Sequence, residues 1–303
     1  MKKRVLLTGG TGFVGRNLTR LLIQSGYSVS ILTRNLKQNS ADVFYYRWDV
    51  GRGQIDEKAV LKADYIIHLA GEGIADKRWT SKRKLAIIES REKSIQLIYD
   101  VLKRNDKQLQ AFVSASGIGF YGAILGSEIC TESSPAVADF LGSTCQKWEV
   151  AAETMESLGI RTVKIRTGLV LGKDDGFLKK MAPLFKYNLG SALGSGKQYM
   201  PWIHIDDLCA IYLEAVRNDE MSGAYNAAIN DNTTNDSFSK TLAKMYGYSI
   251  WLPNVPAFFL KMVLGDMAQI LLTGRRVSSE KIEKIGVQFR FKNLEDALNN
   301  CLF

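Results

Sequence analysis

Arg4-Val5-Leu6-Leu7-Thr8-Gly9-Gly10-Thr11-Gly12-Phe13-Val14-Gly15 is an apolar run that ends in a glycine cluster and passes straight into a helical pattern. Val5 to Leu7 have the aliphatic character of a buried strand. Val14, Leu18, Leu21 and Leu22 repeat at helical spacing, and Gly26 stands where that helix would stop. So tight a turn from strand to helix needs glycine, which takes positive φ without penalty. It also lets an anion lie against backbone, where the first free N–H groups of the helix and its dipole favour negative charge. A glycine triplet alone is a weak signal. With a strand before it and an amphipathic helix after it, the triplet Gly9, Gly12 and Gly15 reads as a pyrophosphate cradle for a dinucleotide.

Working outward, Val29 to Leu32 is a second strand that ends in Thr33-Arg34. In such folds the end of this strand meets the adenosine ribose. A carboxylate there bonds the 2′-hydroxyl of NAD, and a cation favours the 2′-phosphate of NADP. No Asp or Glu occurs between Arg34 and Asp42, so the position favours NADP; the competing reading of Arg34 is an exposed loop arginine. Val43 to Trp48 reads as a third strand. Asp64 to Gly71 is a fourth, running into a small-residue turn, and its Ala70 and Gly71 let a cofactor lie against backbone. His68 on this strand reads as core packing.

Helical spacing over Ala86–Leu102 and Asp139–Leu158 alternates with strands at Ala111–Ser116 and Arg161–Arg166. Alternation of this kind predicts an α/β fold, a doubly wound parallel Rossmann sheet with right-handed crossovers. The rhythm changes after Gly172. The expected organisation is a dinucleotide-binding domain over 1–172, to which elements from about 198–228 return, and a substrate-side region over 173–303. Its last part, about 248–303, is short and mostly helical. Asp206 is the expected N-cap of a helix over Leu208–Val216.

Hydrophobic content of 46% with 23% charged residues suits a soluble globular chain, and no apolar run is long enough to span a bilayer. Thr8 to Gly12 interrupts the first apolar stretch too early for a signal peptide. The four cysteines, at 130, 145, 209 and 301, lack paired spacing, so neither a disulfide framework nor a metal site is expected, and a reducing cytoplasm fits. The net charge of +9 raises the question of nucleic acid, but the charges form no long block and no binding motif accompanies them. The densest stretch, Lys77 to Lys93, reads as a solvated helix face. The expected partner is a small-molecule substrate, with no nucleic acid and no membrane, in a monomer or homodimer.

Several stretches together resemble the extended short-chain dehydrogenase/reductases, the nucleotide-sugar epimerases and their relatives. They are Thr8 to Gly15, His68-Leu69-Ala70-Gly71, Ser114-Ala115-Ser116 with Tyr121-Gly122, and Ile203-His204-Ile205-Asp206-Asp207. Arg166 to Gly172, Gly194 to Asp207 and Gly274-Arg275-Arg276-Val277 narrow the resemblance to an epimerase-like, NADP-dependent oxidoreductase subgroup, over almost the full chain. The resemblance implies cofactor contacts at Thr11, Gly12, Phe13, Val14, Thr33, Arg34, Leu69, Ala70, Arg91 and Val170, beside the glycines Gly9, Gly15 and Gly71. For Arg91 a phosphate or ribose contact stands against a single charge on a solvated face.

The wider family works with a tyrosine and, four residues on, a lysine whose charge lowers the phenol pKa. Counted from Trp148-Glu149, those positions are Leu141 and Cys145, and neither can do that chemistry. Tyr99 and Lys103 have the spacing but stand on the helix before the fifth strand, on the flank of the sheet, and read as packing. The catalytic candidates that remain are Ser116, Tyr121 and Cys145, the last set against an inert buried thiol. Tyr199, Trp202 and His204 are candidate substrate-pocket residues, with core packing the alternative for His204. The function expected is that of an NADP-binding epimerase or oxidoreductase acting on a small hydroxyl or carbonyl compound such as a nucleotide sugar. The alternative is a catalytically silent NADP sensor or scaffold.

Overall fold

The structure is a computed structural model and describes residues 2–173 and 175–303. Strand β1 (Arg4–Thr8) runs into helix α1 (Phe13–Gln24), followed by β2 (Ser28–Thr33), β3 (Val43–Asp49) and the short β4 (Gln54–Ile55). Helix α2 (Glu57–Leu61) leads to β5 (Tyr65–His68), and α3 (Ser81–Arg104) to β6 (Ala111–Gly117). Then come β7 (Leu125–Cys130), α4 (Phe140–Glu153), β8 (Thr162–Thr167) and β9 (Leu169–Leu171). Helix α5 (Gly176–Lys186), β10 (Trp202–His204), α6 (Ile205–Arg217), β11 (Gly223–Ala227) and α7 (Asn235–Met245) follow. The last stretch holds α8 (Ala257–Leu264), α9 (Gln269–Leu272), β12 (Gly274–Val277), α10 (Glu280–Lys284) and α11 (Leu294–Leu302).

The main sheet has the order β11-β8-β6-β5-β1-β2-β3-β4. Every pairing in it is parallel except β3 with β4. The chain leaves β1 toward β2 and β3, then returns to β1's other side through β5, β6 and β8. The strand order therefore reverses between β1 and β5, and their carboxyl ends flank the crevice where doubly wound sheets bind ligands. The Rossmann architecture expected from the alternation is present.

Both faces of the sheet are covered, which is why its central strands read as unbroken apolar runs. Val5 and Leu7 of β1, Ile67 of β5 and Val113 of β6 point into one core, with Leu18 and Leu22 of α1. Leu6, Ile66 and Phe112, the alternate residues, point into the other, with Ile95, Ile98 and Leu102 of α3. His68 is fully buried between Phe112 and Trp148, as its packing role predicts. Its Nε2 lies 2.8 Å from the Ser94 hydroxyl. Burial, with the Arg91 cation assisting, pushes its pKa down to about 3, so the imidazole is neutral.

Two small parallel pairs lie off the main sheet, β9 with β10 and β7 with β12. The second carries a segment from the end of the chain back against the loop after β6. The Lys77–Lys93 stretch also serves this junction rather than lying wholly in solvent. Arg78 donates to the Val263 and Met262 carbonyls at the end of α8. Lys84 pairs with Asp266 at 2.7 Å, and Arg83 with Glu72 at 2.6 Å. Among the described residues no helix is long and apolar enough to cross a membrane.

One cap differs from expectation. His204, not Asp206, is the N-cap of α6: its Nδ1 accepts the Asp206 N–H at 3.2 Å. The helix starts at Ile205, so Asp206 and Asp207 fall in its first turn, where they complement the dipole.

Candidate functional site

The glycine turn closes as its residue types require. Gly9 has φ +68°, and a Cβ there would lie 3.0 Å from the Ala70 nitrogen. A Cβ on Gly15 would lie 2.4 Å from the Gly9 carbonyl oxygen and 2.5 Å from Gly10 Cα, so the glycine is what allows α1 to sit on the turn. Thr8 locks the neighbouring strand end: its Oγ1 accepts the Leu69 and Ala70 N–H groups, each at 3.1 Å. Gly12 is the N-cap of α1 and offers no side-chain hydrogen bond, which leaves the first-turn N–H groups of Phe13, Val14 and Gly15 open to an anion. An anionic cofactor fits these residues. The Phe13 ring packs where a Cβ on Gly172 would be, 2.4 Å from its Cζ, and Arg16 pairs with Asp175 at 2.7 Å. These contacts hold the chain beyond Val170 of β9 against the turn. Thr11 is exposed at the rim.

At the end of β2, Thr33 is buried and its Oγ1 accepts the Asn35 N–H at 3.2 Å. Arg34 is exposed and, among the described residues, makes no side-chain hydrogen bond or ion pair. Its guanidinium is free for a ligand.

Arg91 is not on a solvated face. It is 8% exposed, with Nη1 donating to the Ile87 carbonyl at 2.8 Å and to the Glu72 carbonyl at 3.1 Å. Its Nε is buried without a partner. The guanidinium lies 4.6 Å from the Trp148 ring centroid and against Gly71, where a Cβ would come within 3.0 Å of Cζ. Burial lowers its pKa from the usual arginine value.

Next to this group opens a cavity of about 400 Å³. Arg91, Ser116, Leu141, Cys145 and Tyr199 all line it. Leu141 and Cys145, the two positions counted from Trp148-Glu149, thus both stand at the cavity wall. Burial pushes the Cys145 thiol up to about 12, with the nearby Glu149 charge adding to it, so the thiol is neither an acid nor a base near neutral pH.

Three residues expected at the site lie outside it. Tyr121 is 1% exposed, and its hydroxyl donates to Asn226 Oδ1 at 2.7 Å while accepting from Arg166 at 2.9 Å. Burial raises its pKa to about 12. Trp202 is fully buried, with Nε1 donating to Asp231 at 2.9 Å. His204 is spent as the α6 cap, 3.9 Å from the Phe291 ring, and burial lowers its pKa. All three residues of β10 are buried, so both faces of the strand are covered, and none of them lines the cavity. Tyr99 packs at the surface, with Lys103 over its ring.

The sequence reading missed a buried polar network behind Ser116. The Ser116 hydroxyl donates to Glu149 Oε1 at 2.7 Å. Arg166 donates to both oxygens of Glu149, from Nε and Nη2, each at 2.8 Å. Burial, the largest single influence, works against the Arg166 cation, but the hydrogen bonds and charge of Glu149 together outweigh it and raise its pKa. The available signal was Arg166 in β8, a strand buried along nearly its whole length that also carries Lys164.

Residues 5–228 match the NAD-dependent epimerase/dehydratase family. A curated relative, the epimerase family protein YfhF of Bacillus subtilis, is 33% identical over 98% of this chain and 97% of its own. The chain belongs to the NAD-dependent epimerase/dehydratase family. It is an NAD(P)-binding, epimerase-like protein. Residues 255–301 of this family member match a further domain of unknown function, DUF1731. Among solved structures, the human epimerase family protein SDR39U1, determined with NADPH, superposes with a TM-score of 0.88 at 30% identity, covering 98% of both chains. A nucleoside-diphosphate sugar epimerase from Corynebacterium glutamicum gives 0.80 at 29% identity, covering all of this chain and 58% of that one.

Proposed function

We propose that the chain binds NADP(H) across the β1–β5 crevice and acts on a small hydroxyl or carbonyl substrate as an epimerase- or reductase-type enzyme without a tyrosine–lysine pair. The observation that carries this reading is Arg91, which lies against Gly71 of the crevice and also lines the cavity, joining the two. Thr11 to Gly15 would hold the pyrophosphate, with Gly9 shaping the turn. Thr33 and Arg34 would hold the adenosine 2′-phosphate. Leu69, Ala70, Gly71 and Val170 would wall the rest. That SDR39U1, similar over nearly its whole length, was determined with NADPH supports the choice of NADP.

When bound, the nicotinamide supplies or accepts a hydride. The chain's part is to orient and to exchange a proton. The Ser116 hydrogen is committed to Glu149, so its oxygen acts as an acceptor that orients a substrate hydroxyl. The phenol lining the cavity is Tyr199, with the Arg276 guanidinium 5.9 Å from its ring. Tyr199, rather than Tyr121, is the proton-exchanging group in this proposal.

A second reading is a cofactor-dependent sensor without turnover, and it is favoured by the side chains at Leu141 and Cys145. Two assays together separate the two readings: loss of reduced-nicotinamide absorbance with keto acids and aldehydes, which reports a reductase, and chromatographic detection of epimer interconversion with UDP-sugars, which reports a redox-neutral epimerase. Turnover that drops at least tenfold in Tyr199→Phe supports the enzyme. Tight NADPH binding with no turnover in either assay supports the sensor.

A further inference from the structure

The cavity carries charge of one sign. Of the described residues that line it, only Arg91 and Arg275 are charged, and none is a carboxylate. Arg91 is at the cofactor end. Arg275 is on β12. Among the described residues its Nε is buried with no hydrogen-bond partner, and the Cys130 thiol lies beside its guanidinium. Its one ion pair, to Glu128, is long at 3.3 Å and runs to a side chain that is 83% exposed. Such a pair is largely screened by solvent and leaves the guanidinium fork available.

The apolar part of the wall is formed by Leu141, Phe177, Met200, Ile270 and Val277.

We propose that the substrate is a small organic acid. An oxyanion head, carboxylate or phosphate, sits on the Arg275 fork, and an apolar body lies against Leu141, Phe177, Met200, Ile270 and Val277. The argument rests on the proposed function in taking this cavity as the substrate site.

The test is calorimetric titration of three probes, with and without saturating NADPH: hexanoate, hexyl phosphate and hexanamide. Hexanoate or hexyl phosphate is expected to bind at least tenfold more tightly than hexanamide, and the better of the two names the head group. Arg275→Gln should weaken the acids about tenfold while keeping wild-type NADPH affinity, which reports an intact fold. Glu128→Gln, an exposed change, should tighten the acids several-fold by freeing Arg275. Equal binding of hexanamide and the anions, unchanged acid affinity in Arg275→Gln, or no gain in Glu128→Gln overturns the proposal. Because the probes are also titrated without NADPH, failure of the protein to bind NADPH would strike the cofactor reading and leave the acid result separately readable.

Discussion

Ser116 donates its hydroxyl hydrogen to Glu149 across 2.7 Å, and both side chains are buried. The same carboxylate takes two hydrogen bonds from Arg166, so one acidic residue holds a cavity-lining hydroxyl and an interior cation together. Removing the carboxylate would leave Arg166 buried and unpaired, a change that costs about 3–5 kcal/mol. Removing only the Ser116 hydroxyl forfeits a hydrogen bond worth about 1 kcal/mol, or about 1.5–3 kcal/mol with a charged partner. Urea unfolding of Glu149→Ala and Ser116→Ala should show the first as clearly the more destabilised. Equal midpoints would mean that the pair does not hold the site.

The glycine turn makes a steric prediction. In Gly15→Ala the new Cβ would meet backbone atoms, at 2.4 and 2.5 Å, that cannot move without opening the turn. In Gly26→Ala no atom lies within 4 Å, and only the φ of +88° is strained, at about 1–2 kcal/mol. Dinucleotide affinity should therefore fall at least tenfold in Gly15→Ala and stay near wild type in Gly26→Ala. Equal effects in the two variants would detach cofactor binding from the turn.

Arg34 is exposed with no ion pair among the described residues, so replacing it disturbs little of the fold. Arg34→Ala should weaken NADP at least tenfold and NAD less than twofold, since only the 2′-phosphate is lost as a partner. An equal loss for both dinucleotides would contradict the role given to this residue.

The buried titratable groups set the pH limits. Cys145, Cys209 and Cys301 are each pushed to about 12 from 9.0 by burial. The folded chain then holds thiol protons that the unfolded chain releases, so their contribution is full below about pH 9 and is lost as pH rises toward 12. His68 works the other way. Its pKa falls from 6.5 to about 3, so its contribution is full above pH 6.5 and is lost as pH falls toward 3. Stability measured against pH should fall on both sides, and His68→Asn should flatten the acid limb. An acid limb of unchanged slope in that variant would show that His68 is not a source of it.

What could be read from the sequence followed from local rules. The run Arg4–Gly15 carried its strand, turn and helix because glycine geometry and apolar periodicity act within a few residues. Arg34 could be placed for the same reason, being fixed by its position at a strand end. The misplaced residues depend on long-range packing. Tyr121 lies five residues after Ser116, yet its hydroxyl is held by Asn226 and Arg166 from distant strands. Trp202 and His204 sit in a short strand whose burial on both faces was invisible until β9 was known to pair with it. Arg275 reaches the cavity only because β12 pairs with β7, about 150 residues earlier in the chain, and no periodicity records that pairing.

The central claim is that the crevice beside the glycine turn binds NADP(H). Calorimetric titration of NADPH and NADH into the purified protein tests it most directly. The account predicts one saturable site per chain with NADPH bound at least tenfold more tightly than NADH. No saturable binding of either dinucleotide, or a preference for NADH, would contradict it.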